Sequence, residues 1–223
     1  MCGILTLVDT PWQAQAERAL ERIACRGPDA SRIWREGGTL LGHARLSIID
    51  LEGGAQPMAS HEGRSLIAYN GEVYNFLALR AELEAAGERF ATRSDTEVIA
   101  HLVNEFFRQT GDLLASVRAA VRELVGAYAI AVIHEKDKAK LVVARMGAPL
   151  LLGIGEDENF AASDMSALLQ VTRQMIYLEE GDCAEVSLDD IKIVEKSRGS
   201  RIERALHHSQ LSADSVELGA YSH

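Results

Sequence analysis

The order in which the apolar period changes along the chain limits its fold more than any other feature. Residues 2–9 (CGILTLVD) read as a mostly apolar strand. Residues 12–24 suit a helix, with Trp12, Ala16, Ala19, Leu20 and Ile23 on one face. Gly27-Pro28-Asp29 breaks it into a loop. Strands are expected near 39–43, 46–50 and 65–70, with a turn at Gly53-Gly54, and helices over 74–86, 95–108 and 112–124. Ala127–His134 is again rich in β-favouring residues, with a hairpin turn expected at Asp137-Lys138. Further strands are expected at 140–145, 149–154, 158–162, 174–178, 182–187 and 190–194, and a short helix at 164–169. Strands, then helices, then strands again point to an α+β class: two antiparallel sheets with helices on their outer faces. From about Lys196 the chain turns polar and reads as a linker or tail.

Charge narrows the possible partners. The formal net charge is -10, which argues against a nucleic-acid partner and against a polybasic membrane anchor. No apolar run reaches membrane-spanning length, and the start lacks the basic and apolar stretches of a signal peptide. A cytoplasmic protein with no membrane partner is expected. The three cysteines, Cys2, Cys25 and Cys183, show no CxxC spacing, so neither a disulfide framework nor a metal site is expected. Cys25 and Cys183 sit in apolar-flanked segments and are expected to be buried. The His207-His208 pair, in the polar tail, is expected to be solvated.

Cys2 is the first candidate for chemistry. Removal of Met1 before this small residue would leave a thiol and a free α-amine on one residue. Such an amine can activate a thiol nucleophile, and its ordinary pKa of about 7.7–8.0 suits proton transfer near neutrality. On this residue alone, a small buried hydrophobe in an N-terminal strand is the preferred reading of Cys2. Asn70-Gly71 closes the apolar run Leu66-Ile67-Ala68-Tyr69. A side-chain amide beside a glycine N–H makes an oxyanion pair, and an ordinary hairpin turn is the alternative. Arg45 could grip a carboxylate through two parallel hydrogen bonds, or simply flank a strand. Glu72 and Asp95 could hold an ammonium group. Asp95 also suits a helix start, as does Ser94.

Five ordered blocks carry a resemblance: MCGI, RGPDAS at 26–31, GHARLSIIDLEGGAQP at 42–57, YNGEVYNF at 69–76 and SDTEVI at 94–99. Together they resemble the class II glutamine amidotransferases, which are N-terminal-nucleophile hydrolases. To about residue 85 the chain looks most like the glutaminase domain of asparagine synthetase. From about 92 it looks more like that of glucosamine-6-phosphate synthase, through SDTEVIAHLVN (94–104), RELVGAYAIAVI (122–133), 144–169 and 171–186. Gly219–His223 resembles the linker into that synthase's isomerase domain. The two likenesses disagree about subfamily.

The resemblance implies a four-layer αββα sandwich, the Ntn-hydrolase fold. It implies a glutaminase domain over 1–195 and a linker over 196–223 toward a synthase domain, in cis or in trans, that would receive ammonia. It implies L-glutamine as substrate and no cofactor. By the same likeness Cys2 is the nucleophile and Asn70 with Gly71 the oxyanion hole. Arg45 binds the glutamine carboxylate, and Asp95 its ammonium. Glu72 follows the asparagine-synthetase pattern alone. Backbone groups of Leu46, Ser47, Ile48 and Ile49 would line the pocket, and Arg26 would support the nucleophile's loop. Leu46–Ile49 stands where the sugar synthases carry Trp-Ala-Thr-His, so that subfamily's carboxylate clamp is only partly present. Two other readings remain: a silent binding or assembly module of the same fold, and an N-terminal-nucleophile amidase acting on another amide.

Overall fold

The computed structural model describes residues 2–8, 13–36, 38–47, 50, 53–60 and 64–211. Two antiparallel sheets stack with helices outside both. The first sheet contains β1 (Gly3–Val8), β2 (Ala30–Glu36), β3 (Thr39–Arg45), β8 (Leu151–Ile154), β9 (Asn159–Ala162), β10 (Gln174–Tyr177) and β13 (Leu206–His208). Its order is β13-β10-β8-β9-β1-β3-β2. The second contains β4 (Met58–Ala59), β5 (Ser65–Val73), β6 (Gly126–His134), β7 (Asp137–Met146), β11 (Asp182–Val186) and β12 (Ile191–Glu195). Its order is β12-β11-β7-β6-β5-β4.

The helices divide between the two outer faces. Helix α1 (Gln13–Arg22) packs Ala19 and Leu20, with Ile23 just beyond its end, against Leu5, Leu40 and Phe160 of the first sheet. Helices α2 (Phe76–Ala85), α3 (Asp95–Thr110) and α4 (Leu113–Glu123) cover the second sheet, with Val98, Ile99 and Val117 against Ile67, Tyr69 and Ile130. The layer between the sheets is filled from both sides by Ile4, Leu41, Ala68, Ala129, Ala131 and Leu152. Strand parity produces this division: Ile4 and Ala68 face the partner sheet, while Leu5 and Tyr69 face helices. Both faces of the central strands are therefore buried, which is why those strands read as near-continuous apolar runs. The expected αββα order is present.

Local chemistry sets the helix boundaries. Ser94 caps α3 by accepting the Thr96 N–H, and Asp95 and Glu97 place acidic groups in its first turn. Gly111 ends it in the left-handed region at φ 66°. Asp112 caps α4 by accepting the Ala115 N–H at 2.6 Å.

Several expectations need correction. Strand β2 was not expected, because its Arg32, Arg35 and Glu36 break the apolar pattern; it is an edge strand with half its residues in water. Of the strand expected at 46–50, the described residues Leu46, Ser47 and Asp50 are irregular, and β3 ends at Arg45. The β6–β7 turn lies at Glu135-Lys136, two residues earlier than expected, because His134 pairs with Asp137. Cys25 is exposed, on a short 3-10 turn over Ala24–Arg26, whereas Cys183 is buried. The chain beyond Lys196 returns to the first sheet, where β13 pairs with β10. His207 and His208 are exposed on that strand. Trp12, Ile48, Ile49 and residues 212–223 lie outside the described residues.

Candidate active site

Strand β1 begins at Gly3, paired with Ala44 of β3. That register delivers Cys2 to the end of β3. There the Leu46 N–H donates to Cys2 Sγ at 3.3 Å, and the Sγ lies 3.6 Å from the Leu46 carbonyl oxygen. The start of β1 is held by two bonds with Ser163: Ile4 N–H to its Oγ at 2.9 Å, and its N–H to the Ile4 carbonyl at 3.0 Å.

The Arg26–Asp29 block braces this corner from behind. A Cβ on Gly27 would lie 2.2 Å from the Ala44 carbonyl oxygen, so only glycine lets the loop press on β3. The Asp29 N–H donates to the Arg45 carbonyl at 3.0 Å, and Asp29 Oδ2 accepts the Ser47 N–H at 2.7 Å. Arg26 pairs with Asp164 at 3.2 Å and does not line the cavity described below.

Asn70 and Gly71 lie in the second sheet, well inside β5 rather than in a hairpin turn. Asn70 is buried, and its Nδ2 has no hydrogen-bond partner. Buried amide donors are nearly always satisfied, so this one stands out. A Cβ on Gly71 would meet the Ala127 carbonyl oxygen at 2.1 Å, so β5 and β6 approach closely only because this residue has no side chain.

Asp95 is buried at the start of α3. Its Oδ2 accepts the Tyr69 hydroxyl at 2.9 Å and lies 3.4 Å from the Val73 nitrogen. Burial pushes its carboxyl above the usual carboxylate range, and these donors pull against that. Ser94, not Asp95, makes the capping bond, which leaves the carboxylate to this cluster. Arg45 is buried, and its Nη2 donates to the Asp50 carbonyl at 2.7 Å. Asp50 in turn accepts the N–H groups of Gly53 at 2.9 Å and Arg93 at 2.8 Å. Those two donors hold its carboxyl below the ordinary value.

One cavity of about 290 Å³ brings these groups together. Cys2, Arg45, Leu46, Asn70, Gly71, Glu72 and Asp95 all line it. Ser47 does not, since its amide is committed to Asp29. Ile48 and Ile49 lie outside the described residues. The sequence reading missed Gln56, Tyr69 and Thr96, which also line the cavity. Gln56 accepts the Tyr69 N–H at 2.6 Å and donates to Thr96 Oγ1 at 3.2 Å, tying the β5 backbone to α3. The adjacent blocks GGAQP and YNGE held this signal, but a glutamine beside a proline has no pattern of its own.

Comparisons with known proteins place the chain in a family. The chain is 48% identical over 190 residues to the glutamine–fructose-6-phosphate aminotransferase [isomerizing] of Acidithiobacillus ferridurans, covering 84% of this chain and 31% of that protein. It is 40% identical over 221 residues to the enzyme of the same name from Neisseria meningitidis serogroup A, covering 97% and 36%. The chain thus spans about a third of the length of these relatives. Among solved structures, the glutamine phosphoribosylpyrophosphate amidotransferase from B. subtilis superposes with a TM-score of 0.74 at 23% identity, over 88% of this chain and 50% of that one. That likeness supports the Ntn-hydrolase fold. The model of the glutamine amidotransferase domain matches residues 1–211, and the chain belongs to that family.

Proposed function

We propose that this chain hydrolyses L-glutamine to glutamate and ammonia. The observation that carries the reading is the single cavity onto which Cys2, Arg45, Asn70, Gly71 and Asp95 converge from separate elements. With Met1 removed, the Cys2 thiol attacks the side-chain amide carbon, and its proton passes to the Cys2 α-amine. The amide oxygen becomes an oxyanion, stabilised by Asn70 Nδ2 and the Gly71 N–H. The C–N bond then breaks, and the proton held by the amine leaves with ammonia. Water hydrolyses the thioester to glutamate and restores the thiol. Arg45 holds the α-carboxylate and Asp95 the α-ammonium, so a free amino acid is favoured over a blocked one. Glu72, exposed at the cavity wall, adds a second carboxylate near the ammonium. None of these steps calls for a metal or cofactor.

In the whole protein we propose that a synthase domain, in cis or in trans, takes up the ammonia, with fructose 6-phosphate as acceptor. The names of the relatives support this acceptor over the aspartyl adenylate of asparagine synthetase. We also propose a cytoplasmic setting. Among the described residues no helix is long and apolar enough to cross a membrane.

The test is glutamate release from L-glutamine, on protein whose N-terminus is checked by intact mass, beside Cys2→Ala. Turnover lost in the variant supports the reading. Absence of turnover with Met1 correctly removed would sink the independent enzyme and favour a silent module of the same fold. Hydrolysis of N-blocked glutamine at a comparable rate would count against the assigned roles of Arg45 and Asp95.

A further inference from the structure

The two groups assigned to the ends of glutamine come from different layers of the sandwich. Arg45 closes β3 of the first sheet, and Asp95 opens α3 on the outer face of the second. Asp95 is tied to its own layer through the Tyr69 hydroxyl. A free amino acid carries its carboxylate and its ammonium on one carbon, so the spacing of Arg45 and Asp95 decides whether both engage at once.

Asp50, which does not line the cavity, spans that gap. Its carbonyl accepts Arg45 Nη2 at 2.7 Å, and its Oδ2 accepts the Arg93 N–H at 2.8 Å. Arg93 stands two residues before Asp95. The segment that carries it is bound to α3 itself, since Glu97 accepts the Ala91 and Thr92 N–H groups, both at 2.7 Å. Holding the Arg93 amide therefore holds the start of the helix.

The conformation of Asp50 serves this link. Its φ is 48°, in the left-handed region, where residues other than glycine are uncommon and Asp and Asn are enriched. Bonds of its own turn offset the strain: the Gly54 N–H donates to its carbonyl and the Gly53 N–H to its Oδ1, both at 2.9 Å. A Cβ on Gly53 would lie 2.6 Å from Asp50 Oδ2, so the turn closes directly on the carboxylate. The Arg93 and Gly53 N–H groups hold the carboxyl below the ordinary range, and both oxygens accept at neutral pH. An asparagine would tolerate the same φ, but it offers one acceptor oxygen where two N–H groups arrive.

Resting on the roles given above to Arg45 and Asp95, we propose that Asp50 is a positioning residue: its carbonyl and carboxylate set the spacing of those two groups, and with it the preference for a free α-amino acid. Hydrolysis of L-glutamine, and its inhibition by glutaramate, are compared in the wild type, Asp50→Gly and Asp50→Asn. Glutaramate keeps the carboxylate and lacks the α-ammonium, so it leaves Asp95 unengaged. Glycine takes the same φ freely and keeps the carbonyl for Arg45, so Asp50→Gly removes the carboxylate alone. Its KM for L-glutamine should rise at least about tenfold with kcat within about threefold, because the lost interaction serves ground and transition states alike. Its inhibition constant for glutaramate should stay within about threefold of the wild-type value. Asp50→Asn should fall between the two, and it carries the test if Asp50→Gly does not fold. An unchanged KM overturns the proposal. So does a fall in kcat alone, as a merely structural role would give, or an equal weakening of glutamine and glutaramate. Calorimetric binding of L-glutamine to Cys2→Ala protein, with and without Asp50→Gly, separates this proposal from the hydrolysis itself. If the wild type releases no glutamate, the hydrolysis reading fails, and binding about tenfold weaker with Asp50→Gly still supports the spacing role. Equal binding in the two proteins, or binding in neither, overturns it.

Discussion

His43 in the first sheet donates its Nε2 proton across the sandwich to the main-chain carbonyl of Tyr69 in the second, 2.9 Å away. The next residue is Asn70, so the bond fixes the backbone that carries the proposed oxyanion donor. A carbonyl only accepts, so Nε2 bears the hydrogen, and Nδ1 is left buried without a partner. Burial pushes the ring's pKa down to about 4.

That shift predicts acid sensitivity. In the unfolded chain His43 titrates near 6.5. Between the two values the unfolded state binds more protons, so stability rises with pH. The contribution is complete above about pH 6.5 and is lost as pH falls through about 4, roughly 3 kcal/mol in all. Urea unfolding of the wild type should therefore show a steeper pH dependence over this window than His43→Gln. Parallel pH profiles would assign the acid sensitivity to other groups.

Asn70 should separate catalysis from stability. Its Nδ2 is buried without a partner, so folding gains little from that donor. Asn70→Ala is expected to lower kcat for glutamine by about 100- to 1,000-fold, equivalent to roughly 2.7–4 kcal/mol of barrier. The melting temperature should fall by only a few degrees. A variant that keeps near-normal kcat would remove Asn70 from the oxyanion role.

Gly71 is under a different constraint. A Cβ there would overlap the Ala127 carbonyl oxygen at 2.1 Å, and a Cβ on Gly126 would overlap the Glu72 carbonyl oxygen at the same distance. Both obstacles are backbone, which cannot rotate aside. Gly71→Ala and Gly126→Ala should each cost at least about 2 kcal/mol, by forcing β5 and β6 apart. Denaturation midpoints of the two variants check this, and a loss below about 0.5 kcal/mol in either would show that the ladder can yield there.

The sequence made some of these relationships legible and hid others, for physical reasons. Cys2, Asn70 and Asp95 could be found because each has a chemical identity and sits at the edge of an apolar period. Their convergence could not be seen, since it depends on the Gly3–Ala44 register and on the packing of β5 against α3. His43 and Gln56 act through main-chain atoms of β5, and nothing in their own surroundings signals that. Strand β2 escaped because an edge strand needs only one buried face. Strand β13 escaped because three exposed residues, Leu206, His207 and His208, pair through backbone alone. Ser47 shows the reverse error: adjacent to cavity residues in sequence, it has its amide turned to Asp29.

The segment after Lys196 supplies the last prediction. Arg204 donates to Asp182 through Nε and Nη2, both at 2.8 Å. The Asp182 side chain is only 1% exposed, so its carboxylate depends on those bonds and on the Glu179 N–H at 2.7 Å. Ile202 packs against the core between the sheets, and β13 covers the edge of β10. Truncation after residue 196 would leave a buried carboxylate without its cation and an uncovered strand edge. Removing one partner of a buried pair costs about 3–5 kcal/mol, less where the partner is partly solvated, as Arg204 is. Arg204→Ala should therefore lose about 2 kcal/mol, and truncation after 196 more than that. Truncation after 211 retains all of these contacts and should keep them at full strength. Thermal melts of the three proteins decide the matter: equal stability after cuts at 196 and 211 would show that the segment is a passive linker rather than part of the fold.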